Sequence, residues 1–411
     1  MLVLPIESWV ILLDMKKIRV FEAFAGYGSQ SLALERLKKD FPTFVYEVVG
    51  ISEIDKYAIQ AYNALHPSVT NYGDISKIDW SQVPDFDLFT YSFPCTDISN
   101  AGAQQGFTEG SNTRSSLLWE CRKAIIEKKP KYLLLENVAS LVESKFIKLF
   151  NKWQAELESY GYSNFTQVLN AKDYGVPQNR KRVFMLSILG RGNYYFPKPF
   201  KLEKRLKDVL ETNVDDKYYL NDKQISMFTA LTEKVEVKQV GNIYPDTDKF
   251  KNRTMGRVYS ADGISPTLNC CGGGDREPKI LDVAYANREA RGYAEAQQGV
   301  VVPVCLNSKV NGKQPSLSDR VYDENGISTA VTCSFMPSIQ QDYRIRKLTP
   351  RECFRLMGLR DKEIDTIQSA GISNSQQYKL AGNSIVVSCL YHLFRKLFVE
   401  TENENQQLTL F

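Results

Sequence analysis

The stretch "IRVFEAFAGYGSQS", Ile18–Ser31, joins an apolar run rich in β-branched and aromatic residues to the start of an amphipathic segment through two closely spaced glycines. Gly26 and Gly28 allow a tight turn at a strand-to-helix junction, where a ligand can approach the helix N-terminus. On its own a Gly-x-Gly is a weak signal. Further runs follow in "FVYEVVGIS", "FDLFTYSF", "KYLLLEN" and "RVFMLSI", and helical candidates near 29–39, 56–65, 114–128 and 144–160 lie between them. This alternation predicts a parallel α/β sheet.

Acidic residues stand at the ends of these runs. Glu53 closes the second and Asp74 follows in "YGDIS". A glycine loop followed by two such acids fits a nucleoside-containing cofactor. The alternative is that Glu53 and Asp74 only cap turns. The next run ends in "SFPC", where the proline presets a bend ahead of Cys95, a thiol able to attack an electrophilic carbon. The run after that ends in Glu136, a carboxylate expensive to bury without a partner or a purpose. With a raised pKa it could donate a proton. Arg180 and Arg182, in "QNRKRVFML", alternate on an extended segment and are expected to address one ligand.

Composition narrows the possibilities. The 411 residues are 43% hydrophobic and 24% charged, as in a globular protein with a sizeable core, and the net charge of +4 permits a nucleic-acid partner without requiring one. Eight scattered cysteines and two histidines offer no metal cluster and make a histidine-based triad improbable. The apolar start is too short and interrupted to span a bilayer and makes a poor signal peptide. A cytoplasmic, nucleoid-associated monomer with reduced thiols is expected, and residues 1–14 read as an extension before a domain opening at Met15.

Residues 15–200 are expected to form the catalytic and cofactor-binding domain. Residues 201–345 are expected to form a smaller, irregular, β-rich domain, 346–377 a connecting helical segment, 378–398 a return to the first domain, and 399–411 a flexible tail. The second domain contains a repeat, "RVYSADGISPTLNC" (257–270) echoed by "RVYDENGISTAVTC" (320–333). It is either one packing solution used twice or a duplicated contact element. "LTPRECFRLMGL" carries a capping box, with Thr349 as N-cap and Glu352 three residues on. "YKLAGNSIVVSCLYHLFRKLF" reads as a loop followed by an amphipathic helix.

Taken in order, "FAGYG", "EIDKYA", "GDI", "PCTDIS", "TRSSLLWE", "ENV", "QNRKR", "RKLTPRECFRLMG" and "LAGNSIVV" resemble the motifs of the cytosine-5 DNA methyltransferase family, bacterial or phage type, from about Lys17 to Lys396. The resemblance implies a Rossmann-like S-adenosylmethionine-dependent methyltransferase domain with a target-recognition domain. It implies that Cys95 attacks carbon 6 of a flipped-out cytosine, that Glu136 pairs with ring nitrogen 3 and the exocyclic amine, that Arg182 contacts the carbonyl oxygen and that Arg180 orients the pocket. Phe24, Gly26, Gly28, Glu53, Ile54, Asp74, Ile75, Asn383 and Ser384 match cofactor-contacting positions. Thr267 matches a threonine that contacts the DNA backbone, and Ser99 lies in a segment expected to close over the base and touch phosphates. The sequence departs from the family pattern at Ser29, Ser92 and Thr96, where glycine, glycine and glutamine are usual, and Ala330 stands opposite Thr267 in the second repeat copy.

The implied partner is double-stranded DNA, within a restriction–modification system that would pair the enzyme with a cognate endonuclease. The rival substrate is transfer RNA; a silent DNA-binding regulator and a dinucleotide oxidoreductase explain fewer motifs. The terminal "QLTLF" (Gln407, Leu408, Leu410 and Phe411) resembles the peptide that binds the bacterial replication sliding clamp. The alternative is a tail that folds back or frays.

Overall fold

The computed structural model describes residues 17–94, 98, 106, 108–111, 113–220, 229–230, 239–242, 257–268, 277–282, 321–323, 338–340 and 344–400. The chain divides into two compact units. The first comprises Met1–Glu211, Gly263–Arg276 and Thr349–Phe411, and the second comprises Thr212–Asp262 and Glu277–Leu348.

The first unit is built on a six-stranded sheet of order β2-β1-β3-β4-β6-β5. Strands β1 (Ile18–Ala23), β2 (Tyr46–Ser52), β3 (Leu88–Tyr91) and β4 (Tyr132–Val138) are parallel. Strand β6 (Lys181–Leu189) runs antiparallel to β4, and β5 (Tyr162–Asn170) runs antiparallel to β6. The expectation of a purely parallel sheet is therefore corrected: two of the six strands break it. β5 carries little apolar alternation because it is an edge strand whose middle faces solvent. Strand direction follows from pairing, which no single run encodes.

Helices cover both faces. Phe21, Phe89, Leu133, Leu135 and Met185 bury one face among Trp80, Trp119 and Trp153. Helices α3 (Leu118–Lys128) and α4 (Ile147–Ser159) add Cys121, Ile125, Phe150 and Leu157 to that core. The opposite parity, Val20, Leu88, Leu134, Phe184 and Leu186, is buried too, which explains why these strands read as continuous apolar runs. Helix α1 (Ser29–Asp40) follows β1 directly, and α2 (Lys56–Leu65) is capped by Asp55, whose carboxylate accepts from the Tyr57 and Ala58 amides.

The C-terminal part returns as α5 (Pro350–Leu356), α6 (Asp361–Ser369), α7 (Asn374–Asn383) and α8 (Val387–Arg395). Tyr378–Asn383, expected as loop, is the end of α7. Helix α8 packs on α1, Arg36 reaches Glu363 at 2.8 Å, and Lys379 reaches Asp55 at 2.5 Å. The predicted capping box forms: the Thr349 hydroxyl accepts from the Glu352 amide, and the Glu352 carboxylate accepts from the Thr349 amide. The same carboxylate accepts from the Glu211 amide at 2.7 Å, and the Thr349 hydroxyl donates to the Glu211 carboxylate.

The second unit holds a five-stranded sheet of order β13-β10-β9-β8-β7, formed by Arg344–Lys347, Lys279–Asp282, Arg257–Ser260, Gln239–Asn242 and Thr229–Ala230. A separate parallel pair joins β11 (Val321–Asp323) to β12 (Ser338–Gln340). Both repeat copies thus open on a strand at matching positions, Val258–Ser260 and Val321–Asp323, in different sheets. The remainder of the second copy, Ala330 included, lies outside the described residues.

Candidate active site

The C-terminal edge of the parallel strands gathers the chemistry. β4 carries Glu136 two residues before its end, with its side chain nearly buried. Because β6 is antiparallel to β4, its first residues lie at that same edge. Register pairs Glu136 with Phe184 and Val138 with Arg182. Glu136 and Arg182 are therefore diagonal neighbours on one sheet face, and the Arg182 Nε lies 3.2 Å from the Glu136 Oε1. Burial pushes the Glu136 pKa up, against the opposing pull of Arg182, Arg180 and a hydrogen bond with Ser92.

Arg180 and Arg182 part company. The Arg180 guanidinium is buried and donates to backbone carbonyls: Leu268 at 2.9 Å, Gly382 at 2.9 Å and Ser384 at 2.7 Å. The end of α7 presents carbonyls without helical partners, and a guanidinium is well suited to satisfy them. Alternation along the chain put the two arginines on one side, but different acceptors separate their heads. Arg180 ties together the α7 terminus, the 263–268 segment and the start of β6.

Cys95, Thr96 and Ser99 lie outside the described residues, but their neighbours are fixed from three directions. Asn137 Nδ2 donates to the Phe93 carbonyl at 3.0 Å, Ser115 Oγ to the Pro94 carbonyl at 2.6 Å, and Ser140 Oγ to the Ile98 carbonyl at 3.0 Å. None of these three was singled out from the sequence, although Asn137 sits inside "ENV" and Ser115 inside "TRSSLLWE". Tyr27 and Gln178 were missed as well. The Tyr27 hydroxyl donates to Ser384 Oγ at 2.8 Å, and Gln178 bridges the Leu356 carbonyl and the Leu268 amide.

A second cluster surrounds the glycine loop. Phe24, Gly26 and Gly28 all have positive φ, at 57°, 60° and 86°. One Glu53 oxygen accepts from the Gly26 amide, and the other accepts from the Ile54 and Asp55 amides. Asn71 clamps the Glu53 backbone on both sides. Ile54 is 71% exposed, an unusual setting for its apolar side chain. An exposed apolar side chain beside a preorganised carboxylate and a tight glycine turn fits a nucleoside, with the base on Ile54 and hydroxyls on Glu53. Asp74 caps its own turn: it accepts from the Ser76 amide and hydroxyl, which hold its pKa down. Ile75 is buried next to it, Asn383 is exposed, and Ser384 is buried. Thr267 is exposed, and its hydroxyl donates to the Asn179 carbonyl at 2.6 Å. Among the described residues no cluster of metal-ligating side chains occurs, and no helix is long and apolar enough to cross a membrane.

Comparison with known proteins points to one family. Residues 18–399 match the family described as C-5 cytosine-specific DNA methylase. The chain is 33% identical to orphan methyltransferase M.SPBetaI of Bacillus phage SPbeta, over 95% of this chain and 100% of that protein. It is 35% identical to type II methyltransferase M2.ScrFI of Lactococcus lactis subsp. cremoris, over 93% and 99%. Among solved structures, the Entamoeba histolytica methyltransferase EhMeth superposes with a TM-score of 0.62 at 17% identity, covering 94% of this chain and 99% of that one. Dnmt2 of S. pombe gives 0.58 at 18%, covering 94% and 100%. These two share its fold, that of an α/β methyltransferase. With one family matched from the first strand to the last helix, the chain belongs to the C-5 cytosine-specific DNA methylases.

Proposed function

We propose that the protein transfers a methyl group from S-adenosylmethionine to carbon 5 of a cytosine flipped out of a specific duplex DNA sequence, through a covalent Cys95 adduct. The observation that carries this reading is the nearly buried Glu136 beside Arg182, one residue ahead of Asn137, which holds the strand end leading to Cys95. S-adenosylmethionine, when bound, supplies the methyl group; Ile54, Glu53 and the loop of Gly26 and Gly28 would hold it.

The Cys95 thiolate forms a bond to carbon 6, and the ring's double-bond electrons move towards carbon 5. Glu136 gives its proton to ring nitrogen 3, so the ring does not carry a full negative charge. Arg182 holds the ring carbonyl, and its charge keeps Glu136 from becoming too weak an acid to donate. Once carbon 5 is methylated, its proton passes to solvent water and the carbon 5–carbon 6 double bond re-forms. The thiolate departs, and Glu136 recovers the proton. Extrusion of the base costs a few kcal/mol and is required because carbon 6 is inaccessible in a stacked duplex. In this reading Thr267 and Ser99 contact the DNA backbone and the second unit reads base edges.

Labelled methyl transfer to duplex DNA and to transfer RNA, run in parallel, tests substrate class; transfer to RNA alone overturns the DNA reading. Cys95→Ala is expected to abolish transfer while leaving DNA binding, and continued methylation by that variant refutes the adduct. We also infer that the tail carrying Gln407, Leu408, Leu410 and Phe411, outside the described residues, docks on the replication sliding clamp. Equal clamp binding with and without residues 407–411 refutes that.

A further inference from the structure

Ser92 has no role in the chemistry above, yet the fold puts it against the carboxyl that does. The last registered pair between β3 and β4 is Tyr91 with Leu135, so Ser92 is level with Glu136. Ser92 also has the parity of Leu88 and Thr90, which places it on the sheet face that carries Glu136 and Arg182. Register and parity thus bring its hydroxyl alongside the Glu136 carboxyl, where it favours the ionised form. Two residues on, Pro94 is held by Ser115, and Phe93 between them is held by Asn137. Ser92 is therefore attached to a stretch of backbone with little freedom to shift.

We propose that Ser92 is a positioning residue for the methyl-transfer reaction: from the strand beside β4, its hydroxyl anchors the Glu136 carboxyl next to Arg182. The inference rests on the reading of Glu136 as the proton donor. A carboxyl gripped only by Arg182 can rotate about its terminal bond. A second contact from the neighbouring strand removes that freedom and presents one oxygen to the base. The same contact favours the ionised form and so opposes burial. Among the described residues, the other charged or titratable groups facing Glu136 are Arg182 on β6, Arg180 just before it, and Cys389 on α8. Burial pushes Cys389 up to about 12, so it stays neutral through the working range.

The test is the pH dependence of kcat/KM for methyl transfer to duplex DNA by the wild type and by Ser92→Ala, Ser92→Thr and Glu136→Gln. The acid must be protonated to act, so activity falls as pH rises through its pKa. Removing the Ser92 hydroxyl weakens the ionised form, so the alkaline limb of Ser92→Ala is expected to move up by roughly half to one pH unit. Below the limb its kcat should drop severalfold, because the carboxyl is less well held. Ser92→Thr restores a hydroxyl, and its limb should return towards the wild-type position; thermal melting of each variant separates misfolding from this effect. Superimposed limbs for wild type and Ser92→Ala, with Glu136→Gln inactive, overturn the role of Ser92 and leave the Glu136 reading standing. Full activity in Glu136→Gln overturns both.

Discussion

Glu22 sits in β1 directly beneath the glycine loop, fully buried. One of its carboxylate oxygens accepts from Ser31 Oγ at 2.7 Å, and that hydroxyl lies 3.1 Å from the Tyr62 hydroxyl. The other oxygen has no hydrogen-bond partner among the described residues. Desolvation therefore outweighs the hydrogen bonds and raises the Glu22 pKa from 4.5 to about 7. The fold thus holds this proton more tightly than the unfolded chain does. The stability Glu22 contributes is fully present below about 4.5 and is lost as pH climbs to about 7, beyond which the loss is complete. The interval corresponds to about 3 kcal/mol, a large part of the stability of an ordinary domain. Glu22→Gln keeps an acceptor for Ser31 and cannot ionise. Urea denaturation at intervals from pH 4.5 to 8.5 should show wild type and variant nearly equal at the acid end. The variant should then lead by an amount that grows to about 3 kcal/mol and levels off. Parallel curves would refute the reasoning, since they would mean that Glu22 is either ionised or equally protonated in both states.

Three further outcomes are expected. Asn137→Ala frees the Phe93 carbonyl and should lower kcat by about one to two orders of magnitude, with the KM for DNA little changed, in steady-state methyl-transfer assays. Gly28→Ala forces a Cβ to within 2.6 Å of the His66 ring and 2.8 Å of the Tyr62 ring at a φ of +86°; it should cost roughly 1 to 3 kcal/mol by chemical denaturation and weaken S-adenosylmethionine binding by calorimetry. Thr349→Ala removes the cap of α5 and its contact with Glu211, which should cost about 1 to 2 kcal/mol in a thermal or urea melt while leaving the alkaline pH limb of activity in place.

Much of the first unit was legible because buried parallel strands advertise themselves as continuous apolar runs, with amphipathic helical segments between them. The helix expected at 56–65 is α2, and that expected at 144–160 corresponds to α4 with a short turn before it. β5 was missed because Thr166–Val168 is exposed at the sheet edge and offers no contrast between faces. Glu136 stood out since a lone acid at the end of "KYLLLEN" has few bland explanations. Its supporting residues did not stand out. Ser92 was visible only as a departure from the family pattern; Ser115, Asn137 and Ser140 act on carbonyls brought close by the fold, and small polar residues are common enough in any chain to pass unnoticed. Arg180 was visible as half of a pair, but alternation specifies only a side. It could not say that one head would meet a carboxylate and the other three carbonyls.

The contact between Glu211 and Thr349 has a consequence for how this chain tolerates change. The chain leaves the first unit after Glu211, returns to it over Gly263–Arg276 and rejoins it for good at Thr349, and Glu211 and Thr349 are hydrogen-bonded to each other and share Glu352. The gap across which the excursion must close is thus set by the first unit, whatever the excursion contains. Lengthening a segment whose ends are already held together adds only a slowly growing entropic cost. Insertions or deletions that spare the Gly263–Arg276 return, where Leu268 accepts from Arg180, would therefore leave the departure and return points where they are, while the acid, the arginines and the strand end before Cys95 keep their places.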